Sequence, residues 1–179
     1  MTQLTRIDGS IIAESDSLTL AALVEQNKAD LSGANISWAD LSYTNLSEAN
    51  LSYTNFSGSD LSYTNLSEAD LYKANLYNAN FSNANLSGTY LSEANLSMAD
   101  LYKANLSKAK GIVQFGPAPT SGRIGYCVDH GDKIMVQLGC WWGELDKTIQ
   151  RIAEVHSNEI GRAYADMVKS AARSLEVAR

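Results

Sequence analysis

Two prolines in 179 residues, both inside the stretch "GIVQFGPAPTSG" (111–122), leave the rest of the chain without that interruption, and this one stretch reads as a linker or turn region. The two cysteines are too few for a disulfide framework. No apolar run approaches the roughly 20 residues that a membrane-spanning helix needs. The opening "MTQLTRIDGSIIAESD" has no basic stretch followed by a long apolar one, so it does not read as a signal peptide. These absences point to a cytoplasmic protein with no membrane partner. Hydrophobic residues make up 45% of the chain, enough to build a core.

What is present is repetition. From Ala29 the chain divides into five-letter words, ADLSG, ANISW, ADLSY, TNLSE and so on to ANLSK, sixteen in register without a slip. The central letter, from Leu31 to Leu106, is always Leu, Ile or Phe, and two residues earlier stands only Ala, Thr or Ser. Side chains recur every 3.6 residues on a helix and every 2 on a strand, so neither has this period. A short fixed repeat is the mark of a solenoid, whose units bury their apolar side only by stacking. A corner every five residues closes a square after four words, which is why "LSYTNLSEA" (41–49) returns at 61–69. The expected centre is a stack of Leu, Ile and Phe with small residues packed beside it.

The words resemble the pentapeptide-repeat family, whose pattern is A(D/N)LXX. The resemblance covers residues 29–110 and implies a right-handed quadrilateral β-solenoid of four coils. By itself it implies no activity. Residues 1–28 are expected to cap the tower's first end. They hold a hairpin on Asp8-Gly9 and a helix in "SDSLTLAALVEQN" with Asp16 or Ser17 as N-cap.

After the linker the pattern changes. "RIGYCVD" and "KIMVQLGCWW" read as two strands joined through His130-Gly131-Asp132. Leu145, Ile149, Ile152 and Ala153, then Ile160, Ala163, Tyr164, Met167, Val168, Ala171 and Leu175, recur at helical spacing. Residues 123–179 therefore read as a small α+β domain of ββαα type, close to the lower limit for an independent core. Residues 115–168 also resemble a small domain of bacteriophage and prophage proteins, on Phe115, Gly116, Pro117, Arg123, Tyr126, Gly139, Cys140, Trp141, Gly143, His156 and Tyr164. In "TSGR" Ser121 and Gly122 are exchanged relative to the usual order. What this resemblance implies is a phage origin.

Three chemistries are open to this second domain. Cys127, His130, Cys140 and His156 are zinc-ligand types at no standard spacing. Cys140 with His156 as base and Asp146 as orienter would be the set for nucleophilic catalysis. The third is ligand capture, in which Arg123 grips a carboxylate or phosphate with both arms of its guanidinium. Trp141 and Trp142, neighbours in an extended segment, point to opposite faces, which leaves one ring for stacking. Tyr126, His156 and Tyr164 supply further polar contacts. The reading that follows is a non-enzymatic binding protein, without cofactor, metal or direct nucleic-acid contact. The solenoid is its scaffold and oligomeriser, and the second domain captures a small anion, nucleotide-like in an anti-defence setting, or a host protein.

The tower's surface weighs on the alternative. Some members of the family imitate duplex DNA and occupy DNA gyrase and related topoisomerases, which asks for a charge density approaching one negative charge per ~1.7 Å of axis. Residues 29–110 carry eight acids against four lysines over a tower roughly 20 Å tall at strand spacing. Seven of the nine tyrosines decorate it instead, a composition suited to protein contacts and self-association.

Overall fold

The computed structural model describes residues 1–116, 125–131, 133–138, 141–155 and 159–178. They form two compact units, Met1–Lys110 and Gly111–Arg179.

In the first unit the chain opens with a hairpin of β1 (Thr2–Arg6) and β2 (Ile11–Ser15). Gly9 at φ 88 and the Asp8 carboxylate, which accepts from the Ser10 amide at 2.9 Å, close its turn. The following helix, α1 (Leu20–Gln26), starts later than Asp16 or Ser17 would have begun it. Thr19 is its N-cap, because its hydroxyl accepts from the Ala22 amide at 3.2 Å, while Ser15 ties back the Ser17 and Leu18 amides. Strand β1 also pairs with β3 (Ala34–Asn35), so the hairpin continues into the repeat region.

The repeat region is mostly extended chain that turns. Isolated parallel bridges join residues twenty apart in four ladders, beginning at Asn35, Asp40, Asn45 and Asn50. Each rung is made by paired backbone bonds such as Leu41 N–H to Asp60 O at 2.8 Å and Asp60 N–H to Ala39 O at 2.9 Å. The central residues from Leu31 to Leu101 are 0–2% exposed. Leu106, in the last word, is half-buried.

Size restriction is only half the reason for Ala, Thr or Ser two residues before the centre. Thr54 Oγ1, Ser59 Oγ and Thr64 Oγ1 donate at 2.7, 2.7 and 2.9 Å to the carbonyls of Leu31, Ile36 and Leu41 in the preceding coil. A buried hydroxyl is tolerated here because it is satisfied.

Every word turns at its last two letters. A bond from the next word's first amide to the central carbonyl closes nearly all of these turns, as in Ala34 N–H to Leu31 O at 2.9 Å. The fifth letter stands in the left-handed region in all sixteen words: Gly33, Gly58 and Gly88, and thirteen residues that are not glycine, at φ 55 to 64. For an L-residue that conformation costs about 1–2 kcal/mol. The inter-coil hydrogen bonds on either side of the corner offset it.

The second unit is a four-stranded antiparallel meander of β4 (Ile112–Phe115), β5 (Gly125–Asp129), β6 (Ile134–Leu138) and β7 (Trp141–Glu144), in that order across the sheet. Helices α2 (Leu145–Val155) and α3 (Glu159–Ala178) follow. Two expectations change. Ile112–Phe115, expected to be linker, form the edge strand, because Ile112 and Phe115 have core to join and Phe115 crosses Gly125, where a side chain would collide with its ring. The expected single strand through "KIMVQLGCWW" is two, so the domain is ββββαα.

One sheet face packs against the helices. Phe115, Cys127, Ile134 and Val136 meet Ile152, Tyr164, Val168, Ala171 and Leu175 there. Ala153 and Ala163, expected on the buried helix stripes, are exposed, whereas Thr148 and Ala172 are buried.

The stacked core makes a direct prediction. Leu66→Asp puts an unpaired charge at a site 0% exposed and should cost several kcal/mol, melting neighbouring coils together. Ser67→Asp, on the outward side, should change stability by less than about 0.5 kcal/mol. Thermal unfolding followed by circular dichroism compares the two, and equal losses would show that the inward and outward letters are wrongly assigned.

Candidate functional site

The residues proposed for ligand capture do not all meet. Arg123, Cys140 and His156 lie outside the described residues, as does the Trp141 side chain. Tyr126, Gln137 and Trp142 occupy one row across β5, β6 and β7. Their neighbours Cys127 and Val136 face the helices, so alternation puts this row on the other side of the sheet. Tyr126 and Trp142 are half-buried, and Trp142 Nε1 is buried without an acceptor among the described residues. Tyr164 is 9% exposed, has its ring 6.2 Å from Phe115 in the core, and has its phenol pushed upward by burial. It is therefore separated by the sheet from Tyr126 and Trp142 and packs as a core residue.

Cys127 is likewise committed to the core. Its Sγ donates to the Val168 carbonyl at 3.7 Å, and burial pushes the thiol up to about 12. Such a thiol is a poor source of the thiolate that nucleophilic attack requires.

The solenoid surface is better defined. Two of its ladders are asparagine throughout, 35/55/75/95 and 45/65/85/105, each Nδ2 donating to the preceding Oδ1 at 3.1 to 3.4 Å. The ladder of Asp40, Asp60, Asn80 and Asp100 differs, because carboxylates cannot donate to one another. Asn80 Nδ2 reaches Asp60 Oδ1 at 3.1 Å, but no amide lies between Asp60 and Asp40. The Ser42 hydroxyl and amide, at 2.7 and 3.0 Å, hold the Asp40 carboxyl below the usual carboxylate range.

The corners carry the aromatic residues, and they do so unevenly. Fifth letters stack into four columns: 33/53/73/93, 38/58/78/98, 43/63/83/103 and 48/68/88/108. At the first corner Tyr53 meets the fourth-letter Tyr72 edge to face at 5.6 Å, the ladder residue Tyr90 lies 5.9 Å from Tyr72, and Lys73 stands 5.1 Å over the Tyr72 ring. Tyr72 and Glu93 raise the Lys73 ammonium above its ordinary value, with Glu93 3.3 Å away. On the third, Tyr43 and Tyr63 stack at 4.8 Å and 4°. Trp38 heads the second and is 76% exposed. The fourth column, Glu48, Glu68, Gly88 and Lys108, has no aromatic residue.

Trp38 is the surface residue that reading by words passes over, since attention falls on the tyrosines. The signal is positional: it occupies an outward fifth letter, and twenty residues later stands Gly58. A Cβ at Gly58 would come within 3.0 Å of three atoms of the Trp38 ring, so glycine there lets the indole lie across the next coil.

Residues 29–67, 39–78, 49–88 and 69–108 match the pentapeptide repeats family, eight copies in all. No protein of curated function matches the chain. Among solved structures, it is similar to a pentapeptide repeat protein from Nostoc Pcc 7120, with 35% identity over 51% of this chain and 78% of that one, at a TM-score of 0.49. A pentapeptide repeat protein from the Arabidopsis thaliana thylakoid lumen shares 28% identity over 42% of this chain and 52% of that chain, TM-score 0.42. QnrB1, a plasmid-mediated fluoroquinolone resistance protein, shares 25% identity over 42% of this chain and 55% of that chain, TM-score 0.26. The chain thus spans about half the length of the last two. Among the described residues no helix is long and apolar enough to cross a membrane.

The mixed ladder yields a stability prediction. Asp60→Asn would supply the missing donor to Asp40 and remove one of two like charges at strand spacing, about 4.8 Å apart. The melting temperature should rise. A fall would show that the carboxylate at 60 is itself a stabilising partner.

Proposed function

Residues 29–108 make this chain a pentapeptide repeat protein, and from that premise we propose that it is a non-enzymatic binding protein whose solenoid is a rigid scaffold for protein contacts and self-association. The right-handed, four-coil form belongs to this reading. The observation that carries it is the set of exposed rings on three corners: Trp38 at 76%, Tyr43 at 74%, Tyr102 at 63%, Tyr63 at 52% and Tyr53 at 51%. Their backbones are held by bonds to a neighbouring coil. Large amphipathic rings held at small entropic cost are what protein interfaces are enriched in.

The duplex-mimic alternative, directed at gyrase or topoisomerase, asks for a denser and more continuous negative surface. The solenoid gives its corners to aromatic rings and two of its ladders to neutral amides.

The second unit is proposed to capture a small anionic ligand or a host protein. Arg123, Tyr126 and Trp142 are its contacts, and the half-buried row of Tyr126 and Trp142 on the sheet face away from the helices supports it. On this reading the partner is met in the cytoplasm of a host cell, and the role is an anti-defence one.

Self-association is tested by light scattering at micromolar concentration. A mass above 19.4 kDa is expected, falling to that of the monomer in Tyr43→Ser/Tyr63→Ser at unchanged melting temperature. A wild-type monomer would overturn the oligomeric scaffold.

Capture is tested by calorimetry against nucleotides and cyclic dinucleotides. Arg123→Ala should weaken binding roughly ten- to a hundredfold, the worth of a bidentate charge-assisted contact. Arg123→Lys should rescue only part of it, because an ammonium lacks the planar fork. Absence of any anion binding to the wild type ends the small-ligand form, and a protein partner takes its place.

A further inference from the structure

Three features of the solenoid converge between its second and third corners. Trp38 lies across Gly58 with most of its ring surface in water. Tyr43 and Tyr63 form a parallel stack on the next corner. The side joining those corners presents Asp40 and Asp60 on successive rungs. Both carboxylates use Oδ1 for local bonds, to Ser42 in one case and to Ser62 and Asn80 in the other. Neither Oδ2 accepts a hydrogen bond, and neither aspartate enters an ion pair among the described residues, whereas Asp30 is paired with Arg6 and Glu93 with Lys73.

We propose that this strip docks an arginine-bearing segment of a partner protein, the guanidinium stacking on Trp38 and pairing with Asp40 and Asp60. This rests on the reading of the solenoid as a protein-contact scaffold and names the chemistry of its partner. Two unpaired carboxylates at strand spacing repel each other, and an incoming cation relieves both. An indole is the best ring for a cation, and a guanidinium can stack on it while its donors reach a carboxylate with both arms. An ammonium offers a point charge without the plane. Charge steers in the same direction: residues 1–110 carry twelve acids against six Lys and Arg, and residues 111–179 carry eight of each, so the net charge of −6 belongs to the first unit. The strip's basic residue, Lys103, lies at its far end, 5.2 Å from the Tyr102 ring and three coils from Trp38's corner.

The test uses the full chain and a fluorescein-labelled short peptide of alternating Arg and Gly, with its Lys counterpart, followed by fluorescence anisotropy at fixed ionic strength. The Arg peptide is expected to bind at least about fivefold more tightly than the Lys peptide. Trp38→Ala and Asp40→Asn/Asp60→Asn should each weaken it roughly tenfold, and Trp38→Phe should retain part of the affinity. Glu48→Gln/Glu68→Gln removes the same charge from the aromatic-free corner and should change affinity less than about twofold. Melting temperatures of all variants exclude loss of fold as the cause. Equal weakening by the two charge pairs means diffuse attraction and overturns the site, as does equal affinity for the two peptides or no binding at all. A wild-type oligomer that does not bind the Arg peptide overturns this docking site alone. A monomer that binds it overturns self-association and leaves the site standing.

Discussion

Everything in the repeat region depends on one backbone condition: each fifth residue must turn a corner with positive φ so that the next strand lies twenty residues above its like. Thirteen non-glycine residues accept that conformation, among them Trp38 and Tyr43. An isolated chain would not hold so many strained corners. They persist because the amides and carbonyls flanking each one bond to a neighbouring coil, as Trp38 N–H does to Ser57 O at 3.0 Å. The local cost and the stacking gain are therefore inseparable, and a single coil has no reason to exist alone.

The same condition turns sequence into surface by a simple rule. A residue changed at one position is placed directly beside the residues twenty before and after it. Asparagine repeated at that interval becomes an amide ladder, tyrosine becomes a stack, and aspartate becomes a line of like charge broken only where Asn80 donates to Asp60. Glycine at 58 becomes the floor on which Trp38 rests. The corners thereby acquire different characters without any change in backbone, three aromatic and one bearing Glu48, Glu68 and Lys108. A scaffold of this kind separates stability, held by the inward letters, from recognition, carried by the outward ones.

The second unit obeys ordinary packing rules. Its sheet places Cys127 and Val136 toward the helices and Tyr126, Gln137 and Trp142 away from them, so residues close in sequence serve opposite sides. Tyr164 shows the consequence. Its helical spacing marks it equally as core or as a site residue, and only the helix packing, which brings its ring to Phe115, decides for core.

Much of the solenoid was legible in the words themselves: the register from Ala29, the buried centre, the twenty-residue return, the asparagine ladders. Strict local periodicity leaves one arrangement that buries every central Leu, so the pattern determines the structure. Where periodicity ends, so does that certainty. Asp16 and Thr19 are both good N-caps, and the choice fell to Thr19 because Ser15 had already claimed the amides between them. Ile112–Phe115 has no partner within its own stretch and became a strand through Val128, Cys127, Tyr126 and Gly125 of β5. That Trp38 would lie over Gly58, and that Asp40 and Asp60 would face each other without a donor, follows from contacts between coils. Sequence neighbours determined the repeat; which side chains share water, charge and ring faces was decided only when distant words were stacked.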